Sequence, residues 1–98
     1  MKSEQTIEAG GRTMKPTQAV EAAKEHLMKI THLSIHNVTG VKKEKDGWRI
    51  TVELLEKKSI PDAMDLFGIY EVMISDDGEL VNFERKGIRR RGDVDKGV

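Results

Sequence analysis

Histidine and serine side chains are the residues of this sequence best suited to chemistry, and their spacing favours no catalytic or metal site. The histidines are His26, His32 and His36. His32 and His36 are four positions apart, as two ligands on one helix would be, but the helix is predicted to end before His36 and no third ligand is evident. The four serines lie outside any G-x-S-x-G motif. The sequence is therefore interpreted as that of a non-enzymatic protein that holds no metal and no other cofactor.

Two further patterns have simpler explanations than ligand binding. The run from Asp76 to Glu79 lacks the oxygen ligands that a calcium loop places over twelve residues, so it is predicted to be a tight turn. Gly10-Gly11 is not followed by a helix start, and no phosphate-binding loop motif occurs. The absence of cysteine excludes disulfides, thiol nucleophiles and cysteine-based zinc sites.

The region before the C-terminus is strongly basic, with five cations in the seven positions from Arg85 to Arg91. A basic strand of this kind can bind nucleic acid phosphates. Proteins that read single strands also need exposed aromatic rings for stacking, and only Phe83 is available here. A solvated edge strand, whose charges prevent sheets from aggregating, and a surface for an acidic protein patch are the other interpretations.

An apolar segment of roughly nine residues separates two predicted strands where a two-residue turn would suffice. It contains Ile60, Met64, Leu66 and Phe67, and it is flanked by the charged residues Lys57, Lys58, Asp62 and Asp65. Either these side chains fold back over the protein's own core, as in a compact loop, or they form a docking patch for a partner. The residues alone favour neither interpretation.

Length and composition indicate one modest domain. The chain has 98 residues, with 17 lysines and arginines against 17 aspartates and glutamates, so its formal net charge is zero. No global field draws such a chain to nucleic acid or to an anionic membrane. No apolar region typical of a signal peptide occurs near the N-terminus, and no apolar run approaches a transmembrane length. A soluble cytoplasmic protein is the expectation.

The local patterns predict one helix and then four strands. Pro16 opens the helix, Thr17 is the predicted capping residue, and the apolar stripe is Val20, Ala23, Leu27 and Ile30, with the helix ending near residues 31–33. The predicted strands are residues 35–44, with a bulge at Gly40, and residues 48–57, 68–75 and 79–89. Asp46-Gly47 predicts a type I′ hairpin turn, and Asp76-Asp77-Gly78 predicts a type I turn with a left-handed glycine.

These elements predict an α+β fold in which one N-terminal helix packs on a four-stranded antiparallel β-sheet, in the order α-β-β-β-β. The other face of the sheet is expected to be solvated or bound to something. Residues 1–14 and 92–98 are predicted to be flexible tails around a single domain of residues 15–91.

The ordered succession of short motifs resembles the gas vesicle synthesis protein O family. The resemblance covers residues 17–92 and is carried by Gly47-Trp48-Arg49-Ile50-Thr51-Val52-Glu53, Ile60-Pro61-Asp62, Met64-Asp65, Gly68, Tyr70-Glu71-Val72, Asp77-Gly78-Glu79-Leu80 and the closing arginine-rich strand. It implies a cytoplasmic accessory protein of gas vesicle formation that contacts other gas vesicle proteins as an assembly or regulatory factor. It implies no catalytic residue.

The leading hypothesis is therefore an adaptor or chaperone-like factor that binds the structural shell protein or other accessory proteins of gas vesicles. Apolar anchors would provide affinity and arginines orientation. The predicted partner-binding residues are Ile60, Pro61, Asp62, Met64, Leu66, Phe67, Arg85, Arg89, Arg90 and Arg91. A nucleic-acid-binding regulator of gas vesicle expression, using the basic strand, is the alternative, and a homodimer is compatible with either function.

Overall fold

One helix packs against one face of a four-stranded antiparallel sheet in a computed structural model of the protein, which describes residues 14–92. The elements are α1 (Pro16–Thr31), β1 (Ser34–Glu44), β2 (Gly47–Lys57), β3 (Leu66–Ser75) and β4 (Leu80–Arg90), with a 3₁₀ turn at Asp62–Met64. The predicted α+β fold and its order α-β-β-β-β are confirmed. The predicted tails, residues 1–14 and 92–98, lie outside the described residues except for Met14 and Gly92. No helix within residues 14–92 is long and apolar enough to cross a membrane.

Helix α1 packs a narrow apolar stripe against the sheet. Ala19, Ala23 and Leu27 are completely buried, whereas the predicted stripe residue Ile30 is about half exposed in the last turn. Pro16 occupies the first helical position, where its missing N–H has no helical partner to lose. The capping prediction for Thr17 is wrong, because the residue before Pro16 is the cap.

Both ends of α1 are closed by short hydrogen bonds. The backbone N–H of Lys15 donates to the side-chain oxygen of Gln18 over 2.8 Å. At the other end His32 adopts a left-handed conformation and its N–H donates to the carbonyl oxygen of Met28 over 2.9 Å. The helix therefore ends one residue before His32, and the chain turns directly into β1.

The four strands form a simple meander in the order β1-β2-β3-β4. Side chains from its covered face make one core with α1, and the buried sheet members are Trp48, Ile50, Val52, Leu54, Tyr70, Val72 and Ile74. The register of β1 against β2 shifts between Ile35 and Asn37 and again between Val38 and Gly40. The predicted bulge thus lies immediately before Gly40. We call the sheet face away from α1 the open face.

The first hairpin turn differs from its prediction. Glu44 pairs with Gly47, so the two turn residues are Lys45 and Asp46, and Gly47 is the first residue of β2. Among residues 14–92 only His32 and Gly78 have a positive φ, so the type I′ prediction is wrong. Gly47 is needed for a different reason, because an added Cβ would overlap the carbonyl oxygen of Ile74 on β3.

The second hairpin turn agrees with its prediction. Gly78 has φ +88°, and its N–H donates to the carbonyl oxygen of Ser75 over 3.0 Å. The carbonyl oxygen of Gly78 also lies 3.0 Å from Nε2 of His26 on α1, within hydrogen-bonding distance. This contact ties the helix to the β3–β4 turn and gives His26 a structural role.

Candidate partner-binding site

The connection between β2 and β3 is short, and hydrogen bonds from the residues that follow β4 hold it in place. Strand β3 begins at Leu66, two residues earlier than predicted, so Leu66 and Phe67 belong to the sheet. The N–H of Arg91 donates to the carbonyl oxygen of Asp65, and the N–H of Gly92 donates to that of Ala63, both over 2.9 Å. Residues 58–65 therefore form a loop fastened to the end of β4 at one end of the sheet.

The side chain of Asp65 fastens the same loop from inside. It is completely buried. Its carboxylate accepts the backbone N–H of Ser59 at 2.6 Å, Nε and Nη2 of Arg91 at 3.2 and 3.1 Å, and Nζ of Lys58 at 3.4 Å. We call these four residues the Asp65 clasp. The Ser59 N–H, followed by the Arg91 and Lys58 side chains, holds the pKa of Asp65 below its ordinary value against the opposing effect of burial.

Replacing Asp65 with asparagine is expected to loosen this loop while preserving its size. The variant keeps an oxygen for the Ser59 N–H but loses the charge that draws Arg91 and Lys58 inward. Hydrogen exchange of the Ser59 and Arg91 amides should accelerate roughly tenfold at neutral pH, as expected for the loss of one buried hydrogen bond.

Mass spectrometry of amide exchange on the purified chain provides the measurement. Asp62→Asn is the matched control, because Asp62 lies in the same loop but is exposed. Since the folded pKa of Asp65 is lowered, the clasp is complete above the ordinary aspartate pKa and is lost as the pH falls through the folded value. Equal protection in the two variants at neutral pH would contradict the clasp.

The residues that the clasp leaves outside form a small apolar tip. Ile60 is 100% exposed and Met64 is 47% exposed, and Pro61 and Asp62 are exposed beside them. We call Ile60, Pro61, Asp62 and Met64 the loop tip. Because the loop is held by backbone and side-chain bonds on both sides, the tip presents its apolar side chains from a fixed base.

Phe67 lies on the open face, and it is completely buried there by its own chain. The His36 ring stacks on it with centroids 4.1 Å apart and an interplanar angle of 12°. The guanidinium carbons of Arg89 and Arg91 lie 5.1 and 5.0 Å from the Phe67 centroid. Phe67 is therefore the centre of a second small cluster, separate from the core beneath α1.

Two arginines of β4 are held by carboxylates of β2. Arg89 makes a two-pronged ion pair with Glu53 on the open face, with both N–O distances at 2.9 Å. The Arg89 hydrogen bonds lower the pKa of Glu53, which is only 6% exposed. Arg85 pairs in the same way with Glu56 at 2.9 and 2.8 Å, and the Tyr70 hydroxyl donates to Glu56 over 2.6 Å. These arginines brace the sheet.

The structure brings together part of the predicted partner-binding set. The loop tip joins Leu66, Arg90 and Arg91 at one end of the sheet, since Leu66 pairs with Arg90 across β3 and β4. Phe67 and Arg89 lie behind this end in the open-face cluster. Arg85 is farther along β4, where it pairs in register with Tyr70. The role of the set as a binding surface stays a prediction.

Several of the contacts that sequence reasoning missed join distant parts of the chain. The clasp links positions 26 residues apart, and the Glu53–Arg89 pair links positions 36 residues apart. The one available signal was the alternation of β2, which placed Glu53 on the face away from the helix. Within residues 14–92, no group of three or more histidine, aspartate or glutamate side chains is arranged to hold a metal ion.

Comparisons with known proteins connect the chain to one family. The model of the family described as gas vesicle synthesis protein GvpO matches residues 2–95. Gas vesicle protein O of Streptomyces sp. is 32% identical over 81 residues, which are 83% of this chain and 63% of that protein. Gas vesicle protein O of Haloferax mediterranei is 36% identical over 77 residues, which are 79% of this chain and 53% of that protein.

A third relative, gas vesicle protein O1 of Halobacterium salinarum, is 33% identical over 81 residues, which are 80% of this chain and 62% of that protein. The chain thus spans between half and two thirds of the length of these relatives. No solved structure matches it.

Proposed function

Because the chain belongs to the gas vesicle synthesis protein GvpO family, we propose that it is a non-enzymatic accessory protein that acts in the cytoplasm in gas vesicle formation. It works by binding other gas vesicle proteins, either the structural shell protein or further accessory proteins. The observation that carries the binding proposal is the loop tip, where a completely exposed isoleucine stands on a loop fixed from both sides. Family membership supports the role in gas vesicle formation, and the exposed loop tip supports a protein-protein contact.

The predicted partner-binding residues divide into an outer surface and its support. Ile60, Pro61, Asp62 and Met64 meet the partner, together with Leu66 and Arg90 at the adjoining sheet end. Phe67, Arg89 and Arg91 pack together on the open face and support this end of the sheet. Arg85 stabilises β4 by its ion pair with Glu56 on β2. An exposed apolar anchor on a preorganised base loses little conformational freedom on binding, which favours affinity from a small contact.

The arrangement supports protein contacts over the nucleic-acid alternative. Arg85, Arg89 and Arg91 each bond a carboxylate of this chain, so their guanidinium groups would have to exchange partners before holding a phosphate. Phe83, the aromatic side chain available for stacking on this strand, packs partly buried against the core beneath α1. Neither feature resembles a surface made for bases and phosphates.

Co-expression with the other gas vesicle proteins tests the proposal. The tagged full chain is produced together with the shell protein and each accessory protein, and the retained proteins are identified by mass spectrometry. We expect at least one to be retained, and Ile60→Asp to reduce its recovery. Val81→Asp is the matched control, since Val81 is an exposed apolar residue at the start of β4. Retention of none of them by the intact chain would overturn the proposal.

The same preparation decides the nucleic-acid alternative. A gel shift with duplex and single-stranded fragments from the gas vesicle genes is run at low and moderate salt, because phosphate contacts weaken steeply with salt. No shift at low salt is the expected result. A salt-sensitive shift accompanied by no retained protein would favour the regulator instead.

A further inference from the structure

The end of the sheet that carries the loop tip and the adjoining part of β4 have an excess of positive charge, although the whole chain is neutral. Residues 56–66 and 85–92 contain seven lysines and arginines and three carboxylates. Two carboxylates outside these ranges, Glu53 and Glu84, pair with Arg89 and Lys86. Two of the three carboxylates within the ranges are also engaged, Glu56 by Arg85 and Asp65 by Arg91 and Lys58. The third, Asp62, is exposed in the loop tip. The surface around the tip is therefore basic.

Part of this charge is arranged in line across the last row of the sheet. Lys57 on β2 pairs in register with Leu66 on β3, and Leu66 pairs with Arg90 on β4. Residues directly opposite one another share a face, so a half-buried leucine lies between a lysine and an arginine. Lys58 follows directly, and its side chain remains 67% exposed although it contacts Asp65. We call Lys57, Lys58, Leu66 and Arg90 the basic row.

We propose that the loop tip and the basic row together dock on an apolar recess flanked by carboxylates on a partner protein. This inference rests on the proposed function and specifies the chemistry of its partner. Ile60 enters the recess, Met64 packs at its edge, and the cations of the basic row meet the flanking carboxylates. Charges at the rim of such a contact steer association and fix its orientation, while the central apolar side chain carries most of the affinity.

Asp62 favours a protein over an anionic membrane as the occupant. It lies between Ile60 and Met64 in the chain and is exposed with them. Immersing the tip among anionic lipid headgroups would bring this carboxylate into a negative potential. A protein can place a single donor or cation opposite it. The tip also has only two large apolar side chains, without the aromatic belt residues that anchor proteins at membrane interfaces.

Two designed peptides test the charge preference on the full chain. Both are about 18 residues long, roughly five helical turns, and carry the same leucine and alanine stripe. One has glutamates flanking the stripe and the other has lysines. Titration followed by amide NMR is expected to show binding of the glutamate peptide, with shifts concentrated in residues 57–66 and 90–92. Its affinity should fall as sodium chloride is raised, and the lysine peptide should bind much more weakly.

Two variants and one control assign the contact. Ile60→Asp should weaken binding of the glutamate peptide by roughly tenfold or more, as for a central interface anchor. Lys57→Glu should weaken it by about threefold, as for a charge at an interface rim, and lower its salt dependence. Val81→Asp introduces the same carboxylate at the opposite end of the sheet and should leave the affinity unchanged. Lys57 is preferred to Lys58 because Lys58 also belongs to the Asp65 clasp.

Several outcomes would overturn the inference. Equal binding of both peptides would remove the charge preference, and shifts outside the stated residues would place the site elsewhere. Vesicles of phosphatidylglycerol that bind the chain, when the glutamate peptide does not, would assign the surface to anionic lipid. The failure of this inference is separable from that of the proposed function, because retained gas vesicle proteins unaffected by Ile60→Asp and Lys57→Glu would leave the function standing.

Discussion

Replacing Phe67 with alanine is expected to lower the free energy of unfolding by about 3–5 kcal/mol, the cost of removing a buried aromatic ring from a packed site. Phe67 is completely buried, although it lies on the sheet face that has no helix. Its ring is enclosed by His36 on one side and by the guanidinium groups of Arg89 and Arg91. Alanine would leave these three polar side chains around a void.

Urea denaturation of the purified chain measures this loss, and two neighbours calibrate it. Phe67→Leu keeps most of the volume and should cost less than about 1.5 kcal/mol. Ile60→Ala, seven residues before Phe67 and completely exposed, should change stability by no more than about 0.5 kcal/mol. If Phe67→Ala proves no more destabilising than Ile60→Ala, Phe67 is not part of this protein's own packing.

The contrast between Phe67 and Ile60 divides an apolar segment that looks uniform in the sequence. The sequence predicts both residues in the connection that replaces a tight turn and leaves two options for each, packing on the protein's own core or on a partner. In the structure Phe67 packs within the protein itself, since β3 begins at Leu66. Ile60 and Met64 are left outside by the Asp65 clasp. The question of partner binding is thereby confined to the loop tip and the basic row.

Sequence periodicity was sufficient for the fold because each element buries one face. The stripe through Ala23 and Leu27 and the two-residue alternation of β2 and β3 identify the helix and the inward side chains directly. A meander needs no further information, because consecutive antiparallel strands joined by short connections become neighbours. The start of β3 was misjudged because Leu66 and Phe67 are apolar in succession, which breaks the alternation.

The candidate site could not be predicted in the same way, because its contacts depend on register. Bulges shift the pairing between Leu55 and Lys57 and between Ile69 and Tyr70. Each shift changes which side chains share a face. Alternation places Glu53 away from the helix but does not identify Arg89 as its partner. Asp65 illustrates the same limit, because in sequence it flanks an apolar loop as a surface charge would, and in the fold it is buried.

Arg89→Met is expected to lower the free energy of unfolding by about 3 kcal/mol at neutral pH, as for breaking one side of a buried ion pair. Glu53 is only 6% exposed, so the variant leaves an ionised carboxylate inside without its guanidinium. Methionine is chosen because its side chain still covers the Phe67 ring. Lys86→Met on the same strand is the control. Its ion pair with Glu84 is exposed and should contribute about 0.5 kcal/mol or less.

The pH dependence of the Arg89→Met loss identifies its cause. In the natural chain the Arg89 hydrogen bonds lower the pKa of Glu53, so the stabilisation is full above the ordinary glutamate pKa and is lost as the pH falls through the folded value. In the variant, the lowering of the Glu53 pKa by Arg89 is gone while burial still disfavours the ionised carboxylate, so protonation relieves the unpaired charge. The stability difference between the two proteins must therefore shrink on acidification.

A second change, Glu53→Leu, should recover most of the loss at neutral pH, because an apolar pair replaces an ionic one. A difference that persists at acid pH and in the double variant would mean that Arg89 acts through its cover of Phe67 instead.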